Sequence, residues 1–295
     1  SCSAGVTNTA ALFFGPPDKA EQFDGTSWTE IAELNTERQF PGGAGAYTTA
    51  LAIGGDTDPG IVAITEFWDG SSWTEIADLG TARRQNFGSG INTAALASGG
   101  YTTTQVATTE EFTAPAVFNQ KVEGQLYFNS TTNTFKETLT DIPGTAWASG
   151  GSLNEARTGL GSSRNASSNA SVAAFGGFNA SGAPLVARDE TELYNGTSWT
   201  EVADMNTARG QVGGAGGSST SAIVFGGEVY PNPSNQTITE TWDGSSWTET
   251  AEMNTAGRSL GNTGTQTNAF CVAGTPTPSR STKCELWNGS AWTEV

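Results

Sequence analysis

The sequence contains no histidine, and only 13 of its 295 residues are lysine or arginine. Without histidine there can be no Ser-His-Asp triad, no imidazole metal site and no histidine general base. Because 30 residues are aspartate or glutamate, the formal net charge is −17. A chain this acidic repels phosphate backbones and anionic lipids, so we predict no nucleic-acid partner and no membrane-surface function.

Long hydrophobic runs and a targeting segment are missing as well. No stretch of the sequence approaches the roughly 18 apolar residues that span a bilayer, so we predict no membrane insertion. The chain starts at Ser1 without a basic and apolar leader, so we expect a processed product, an excised domain or part of a longer protein. The three cysteines are too few for a disulfide scaffold and lack the spacing of metal ligands.

The sequence does contain an internal repeat. The unit EFWDGSSWTEIADLGTAR at 66–83 returns in related form at 21–38, 192–209 and 240–258, and the chain ends within a further copy at 285–295. One tryptophan marks each of these five units. A sixth tryptophan, Trp147, lies in the middle of the chain, 52 residues before the tryptophan of the next unit. The marker tryptophans are Trp28, Trp73, Trp147, Trp199, Trp247 and Trp292.

Each unit also carries the signals of four β-strands. Short runs of small and apolar residues that end in glycine, such as TALAIGG at 49–55, predict strands, and no window shows a helical period. An Asp-Gly or Asn-Gly pair, such as Asp69-Gly70, predicts a two-residue type I′ turn between the next two strands. A glycine-rich stretch such as PGGAGA at 41–46 supplies a first strand, so each unit has antiparallel strands A to D.

Six such units predict an all-β fold in which residues 1–295 form a single six-bladed β-propeller of four-stranded antiparallel blades. The pattern resembles the kelch repeat, in which paired glycines follow strand B, and an aromatic residue then precedes the marker tryptophan. The aromatic residues are Phe23, Trp68, Tyr194, Trp242 and Trp287. The resemblance implies a fold rather than a function, because kelch propellers include enzymes, adaptors and adhesins.

The third unit carries an insertion over residues 113–146. Within it, QLYFN and TFKET flank a polar STTN and predict an extra hairpin. The segment KVEGQLYFNSTTNTFKETL at 121–139 resembles short hairpins of bacteriophage tail-fibre and other virion proteins. The repeats themselves resemble kelch-like proteins of marine phages. These resemblances imply a virion or extracellular location, with other virion proteins or a host surface receptor or glycan as partners.

The cysteines lie in the first and last blades, which must meet if the ring closes. Because strand A begins the first blade and strand D ends the last, we expect this junction to be held by packing alone. We predict that Cys2 faces blade six, where a disulfide to Cys271 or Cys284 would join the two blades. A Cys271–Cys284 bond within blade six and three buried thiols are the alternatives.

No enzyme activity is predicted, and no cofactor. The copper chemistry of some kelch propellers needs histidine ligands, and the symmetric glutamates contrast with active sites, which break symmetry. We expect residues like Glu66 to pair with residues like Arg83, or to bind backbone between blades. Calcium at Asp56 and Asp58 is a weaker interpretation than a solvated turn.

Three tryptophans are candidate binding residues. Trp68, Trp242 and Trp287 add a second indole to their blades, beyond the marker that fills the wedge between blades. They suit a glycan-binding surface, and the alternative is that they belong to the core between blades.

The loops between strands B and C differ most among the units. They include residues 56–64, 178–189 and 228–238. We expect them to share one rim and to form the contact surface of a non-catalytic binding or structural module, virion-associated or extracellular. A secreted lectin and a protein-interaction scaffold are the alternatives.

Overall fold

The structure is a computed structural model that describes residues 2–7, 10–15, 19–57, 60–114, 126–129, 134–137, 146–163, 169–179, 185–272, 274 and 283–295. These residues form six four-stranded antiparallel sheets, and in each sheet the strands follow the order A-B-C-D. No helix occurs among them, and hence none long and apolar enough to cross a membrane. The six sheets are arranged around an axis, which confirms the predicted six-bladed β-propeller.

Every blade takes its strands A to D in chain order. Blade one contains Cys2–Thr7, Ala10–Phe14, Ala20–Phe23 and Trp28–Glu30. Blade two contains Gly42–Ala46, Thr49–Asp56, Ile61–Trp68 and Trp73–Glu75, and blade three contains Phe87–Ile91, Ala94–Ser98, Thr109–Thr113 and Ala146–Ser149. Blade four contains Gly161–Ser162, Val172–Phe175, Thr191–Tyr194 and Trp199–Glu201. Blade five contains Gly213–Ser218, Ser221–Phe225, Thr239–Trp242 and Trp247–Glu249, and blade six contains Gly261–Thr265, Asn268–Val272, Cys284–Trp287 and Trp292–Glu294.

Three small ladders lie outside the blades. Leu126–Asn129 pairs with Thr134–Glu137, with Leu126 opposite Glu137, which confirms the hairpin predicted within the insertion. The STTN connection between these strands lies outside the described residues. The two other ladders join Arg157–Thr158 to Phe178–Asn179 and Glu228–Val229 to Ser234–Asn235.

Strand A of each blade lies beside strand A of both neighbours, which closes the ring around the axis. This contact requires glycine at particular positions. A Cβ on Gly88 of blade three would lie 2.4 Å from the carbonyl oxygen of Gly43 in blade two, far inside van der Waals contact. The glycine-rich sequence of strand A therefore sets how closely adjacent blades approach.

The turn between strands C and D differs from the sequence prediction. Four residues connect the strands, as at 24–27, and only the glycine of each Asp-Gly or Asn-Gly pair has positive φ. The Asp243 carboxylate accepts hydrogen bonds from the backbone N–H groups of Ser245 and Ser246, both at 2.8 Å. Hydrogen bonds from Ser245 and Ser246 lower the pKa of Asp243 to about 2. The predicted two-residue type I′ turn is wrong because the aspartate side chain builds a longer turn from its own hydrogen bonds.

The marker tryptophan of each strand D fills the wedge toward the preceding blade. In blade five, Trp247 packs edge-on against Phe175 of blade four, with ring centroids 5.0 Å apart. Its indole N–H donates to Thr191 Oγ1 at 2.9 Å. Trp292 makes the equivalent contacts with Phe225 and Thr239 of blade five. Trp247 and Trp292 therefore supply both apolar area and one satisfied polar group to their junctions, whereas the indole N–H of Trp147 is buried without a hydrogen-bond partner among the described residues.

The junction of blades six and one is held by more than packing. The backbone N–H of Asn262 donates to Ser3 Oγ at 3.0 Å, and Thr263 Oγ1 donates to the carbonyl oxygen of Gly5. Phe23 stacks on Phe270, with ring centroids 5.3 Å apart. The expectation of packing alone is therefore wrong, because strand A of blade one offers polar groups across the junction.

The cysteine positions narrow the disulfide alternatives. Cys271 and Cys284 are buried thiols, and they belong to different core clusters on opposite faces of the blade-six sheet. A bond between them within the blade is therefore not formed. The side chain of Cys2 lies outside the described residues, and so does the predicted bond from Cys2 to blade six. Burial raises the pKa of the Cys271 thiol well above its usual value, which makes this thiol unreactive.

Asn86 is a buried polar residue at a position that is apolar in other blades. It is 6% exposed, and neither of its side-chain polar atoms has a hydrogen-bond partner in the described part of the chain. The equivalent positions before strand A hold Leu160, Val212 and Leu260. An unsatisfied buried amide costs about 1–3 kcal/mol.

We therefore expect Asn86→Leu to stabilise the protein by about 1–2 kcal/mol in urea-induced unfolding. Asn262 provides the matched control, because its side chain donates to the Leu260 carbonyl at 2.9 Å and accepts from the Gly214 N–H at 3.2 Å. Asn262→Leu should lower stability. If the Asn86→Leu protein were no more stable than the parent, the interpretation of Asn86 as an unsatisfied buried amide would be contradicted.

Candidate functional site

The repeated glutamate and arginine residues meet between blades, in one cluster for each junction. Glu240 of strand C in blade five accepts a hydrogen bond from Arg209 at 2.8 Å, and both side chains are fully buried. The other Glu240 oxygen accepts from the backbone N–H and the amide of Asn206, at 2.7 and 2.8 Å. The remaining pairs of this kind are Arg38–Glu66, Arg83–Glu110 and Arg157–Glu192.

Each of these arginines follows strand D of one blade and hydrogen-bonds to strands B and C, or to residues next to them, in the following blade. Arg209 Nη1 also donates to the carbonyl oxygens of Gly226 and Ile238, both at 2.8 Å. Burial lowers the pKa of Arg209, and the charge of Glu240 opposes that shift. The structure therefore confirms the predicted pairing with repeat arginines for Glu66, Glu192 and Glu240, and it adds Glu110, whereas no arginine of the described residues pairs with Glu21 or Glu285. This use of the four carboxylates in buried ion pairs leaves none of the paired glutamates open to substrate.

The cluster between blades five and six has no arginine among its described residues. Gly257 occupies the position that Arg209 holds one blade earlier, and Arg258 lies one residue further along. Glu285 is 2% exposed and accepts from the N–H groups of Asn254 and Thr255, at 2.8 and 2.9 Å. Arg258 pairs instead with Glu228, outside the buried cluster.

The three tryptophans that we considered as ligand contacts lie inside the ring. Trp68, Trp242 and Trp287 are at most 1% exposed. Each packs on the marker tryptophan of its own blade, with ring centroids 5.4–5.5 Å apart. A sugar could not stack on these indoles without opening the junction, so we place no ligand contact on them.

No group of three or more histidine, cysteine, aspartate or glutamate side chains suited to a metal occurs in the part of the chain that the structure describes. Of the two aspartates considered for calcium, Asp58 lies outside the described residues. Asp56 forms an ion pair with Arg84 at 2.5 Å, so its carboxylate is already engaged.

Unlike side chains occupy equivalent places on one face of the ring. The face is formed where the chain enters strand A and where it leaves strand B. Backbone bridges join these two points, as between Gln39 and Asp56 or between Gly210 and Glu228. We call this face the B–C rim and define it by Phe40, Asp56, Arg84, Tyr101, Phe178, Arg188, Glu228, Tyr230 and Arg258. The predicted loop at 56–64 is shorter than expected, because strand C of blade two begins at Ile61.

Three half-exposed arginines lie on the B–C rim. Arg84 pairs with Asp56, and its guanidinium lies 4.9 Å from the centre of the Tyr101 ring. Arg188 pairs with Glu155 and Glu190, at 2.8 and 3.1 Å. These arginine side chains, with that of Arg258, are 31–32% exposed, so each is partly open to solvent on an otherwise acidic protein.

Aromatic and strained residues accompany the arginines. Phe178 of blade four meets Tyr230 of blade five edge-on, with ring centroids 5.3 Å apart. Phe40 is 39% exposed and has a φ of 54°. This left-handed backbone conformation is unfavourable in free energy for any residue other than glycine. The Phe40 carbonyl oxygen accepts a hydrogen bond from the N–H of Gln85, which has the same conformation. The rim is therefore a hydrogen-bonded platform whose side chains differ from blade to blade; Phe40 is exposed there, whereas Phe178 and Glu228 are 3% and 4% exposed.

Sequence reasoning missed two features. It located the variable loops, of which residues 178–189 include Arg188, but it did not identify Arg84, because Arg84 directly follows the repeat arginine and resembles part of the motif. It also missed Glu111, which accepts a hydrogen bond from the Tyr194 hydroxyl of the next blade. Burial and this hydrogen bond raise the pKa of Tyr194 to about 12. The two residues are distant in sequence, so only the ring brings them together.

A scan of the sequence against known protein families finds no match, and a search of curated proteins finds none either. The fold is nevertheless found among solved structures. The chain is similar to a protein described as "Structure of YjhT", with a TM-score of 0.71 and 12% sequence identity. The match covers 99% of this chain and 96% of that one. At this identity the likeness concerns the fold alone, which is that of a six-bladed β-propeller.

Proposed function

We propose that this protein is a non-catalytic binding propeller that contacts its partner through the B–C rim. One observation supports this most directly. Side chains common to the repeat units, such as Glu240 and Arg209, are buried between blades, whereas side chains peculiar to one unit lie on the rim. Structural requirements are met inside the ring, which leaves the rim free to specify a partner.

The chemistry of the rim favours a partner that bears hydrogen-bond acceptors or negative charge. Half-exposed arginines donate to carboxylates and to sugar or backbone oxygens, and arginine and aromatic residues dominate binding energy in interfaces. We propose a surface receptor, its glycan or a neighbouring virion protein as the partner, at a virion or extracellular location. The resemblance of the hairpin segment at 121–139 to virion proteins supports this setting.

The experiment compares two charge-reversed variants of equal net charge. Arg84→Glu combined with Arg258→Glu alters the rim. Lys19→Glu combined with Lys283→Glu alters exposed lysines that pair with surface glutamates. Binding of the labelled proteins is measured on glycan arrays, intact bacterial cells and purified virions, and circular dichroism checks the fold.

We expect the rim variant to lose at least tenfold in affinity on the surface that the parent protein binds, while the lysine variant binds as the parent does. Equal binding by both variants would place the contact elsewhere. Multivalent binding to simple sugars would instead support the lectin alternative.

A further inference from the structure

The turn between strands C and D begins with aspartate in three blades and with asparagine in two. Asp24, Asp69 and Asp243 hold the first position of the turn in blades one, two and five, and Asn195 and Asn288 hold it in blades four and six. Glycine follows in all five turns. The same backbone conformation is therefore built on a carboxylate in three blades and on an amide in two.

The two amide turns have the same hydrogen bonds as the carboxylate turns. Asn195 Oδ1 accepts from the backbone N–H groups of Thr197 and Ser198, both at 2.9 Å. Asn288 makes the equivalent two bonds at 2.9 Å, and those to Asp243 measure 2.8 Å. Two N–H donors polarise the side-chain carbonyl group and stabilise the negative charge that its oxygen gains when a nucleophile attacks Cγ. Each amide is therefore activated for attack at Cγ.

A nucleophile, the backbone nitrogen of the next residue, adjoins each of these amides. The N–H groups of Gly196 and Gly289 donate no hydrogen bond within the described chain. Their φ angles are 92° and 95°, and without a Cβ they add no bulk beside the reacting atoms. Asn195 and Asn288 are exposed, so water reaches both amides. The two turns thus bring together an unengaged N–H, an activated amide and water.

We propose that Asn195 and Asn288 are sites of spontaneous deamidation, which converts them to the aspartate that the other three turns already contain. The nitrogen of the following glycine loses its proton to hydroxide and attacks Cγ of the asparagine. The bond between Cγ and the side-chain nitrogen breaks, and that nitrogen takes a proton from water and leaves as ammonia. The five-membered succinimide ring that remains is opened by water. The net reaction consumes one water molecule, releases one ammonia and involves no oxidation or reduction.

Opening of the succinimide ring has two outcomes. If water attacks Cγ, the chain regains its ordinary backbone and the residue becomes aspartate. If water attacks the backbone carbonyl carbon, the residue becomes isoaspartate, in which Cγ joins the backbone and lengthens the turn. Only aspartate puts an acceptor where Asp24, Asp69 and Asp243 have one. We therefore expect aspartate to be the product that the folded turns favour.

The charged form of the product suits the turn. Hydrogen bonds from the Ser27 backbone lower the pKa of Asp24 to about 2, and hydrogen bonds from Ser245 lower the pKa of Asp243 to about 2. A pKa below that of the unfolded chain means that the folded turn favours the carboxylate, and this contribution to stability is present at neutral pH and lost in strong acid. We therefore expect Asn195→Asp to unfold at a higher urea concentration than the parent protein at neutral pH, and Asn195→Ala at a lower one.

Conversion would change the charge on one face of the ring. Because neighbouring strands of each blade are antiparallel, the C–D turns lie at the end of the blade opposite the B–C rim. Each conversion adds one negative charge to a protein whose net charge is −17. Full conversion would give all five turns a carboxylate and leave the rim unchanged, so the forms would separate by anion-exchange chromatography.

Asn254 is the internal control, because it is exposed like Asn195 and Asn288 but is followed by a hindered nitrogen. The N–H of Thr255 donates to Glu285 Oε1 at 2.9 Å, and its branched side chain crowds that nitrogen. The purified protein is kept at mildly alkaline pH and sampled over time, and peptide mass mapping measures the deamidated fraction at each asparagine. We expect Asn195 and Asn288 to convert at least an order of magnitude faster than Asn254.

The same samples report the product, since enzymatic methylation labels isoaspartate and not aspartate. The share of aspartate should be larger in the folded protein than in the protein unfolded in urea. Conversion of Asn195 and Asn288 no faster than that of Asn254 would overturn the proposal. An equal share of aspartate in the folded and unfolded proteins, or an Asn195→Asp protein less stable than the parent, would show that the turn does not favour the carboxylate and would overturn it too.

Discussion

Replacing Glu240 by glutamine should destabilise the protein by about 3–5 kcal/mol, the usual effect of removing one partner of a buried ion pair. Arg209 would keep its charge in a fully buried position and lose the only counterion that the described residues place within hydrogen-bond distance. The new amide would also point a donor at the N–H groups of Asn206, which now donate to the carboxylate. Urea-induced unfolding, followed by tryptophan fluorescence, measures the change.

The chain contains its own control for this prediction. Glu285 is equally buried and accepts the same backbone and asparagine hydrogen bonds, but no arginine of the described chain pairs with it. Glu285→Gln should therefore cost about 1–3 kcal/mol, which is the loss of hydrogen bonds to a charged acceptor. Equal losses in the two variants would mean that the arginine contributes nothing to the junction.

Replacing Gly88 by alanine should cost about 3 kcal/mol, at the upper end for overpacking. The added methyl group would lie 2.4 Å from the Gly43 carbonyl oxygen, and backbone atoms of strand A cannot move aside independently. The two blades would have to separate, which would loosen the packing around the axis. The change in the midpoint of urea unfolding tests this expectation.

Gly217 is the matched control, because it also lies on a strand A and no atom of the described residues comes within 4 Å of an added Cβ. Gly217→Ala should stabilise the protein by up to about 1 kcal/mol, because alanine loses less chain entropy on folding. Similar destabilisation by both substitutions would contradict the interpretation of strand A as a contact set by glycine.

The architecture could be predicted because it depends on local patterns that recur. Strand alternation, glycine after strand B and one tryptophan per unit each indicate the same four-stranded blade, and their repetition indicates the number of blades. The prediction was wrong at the C–D turns, where side-chain hydrogen bonds of Asp243 and its equivalents outweigh the dipeptide preference. Glu110 escaped notice as a member of the glutamate set, since the insertion of blade three disturbs its spacing from the marker tryptophan.

The candidate site could be predicted only in part. Variation among the units indicated the B–C loops, and the structure places arginines and aromatic rings there. Sequence could not decide whether Trp68, Trp242 and Trp287 bind a ligand or belong to the core, because a tryptophan gives the same sequence pattern in either place. Burial depends on which blade packs against it.

The sequence by itself determined the blade, its four strands and its sixfold repetition, because these follow from contacts within about fifty residues that every unit makes alike. Only the tertiary structure decided which glutamate meets which arginine and which side chains share the rim. Those relations join residues of different blades, and they exist only once the ring has brought the blades together.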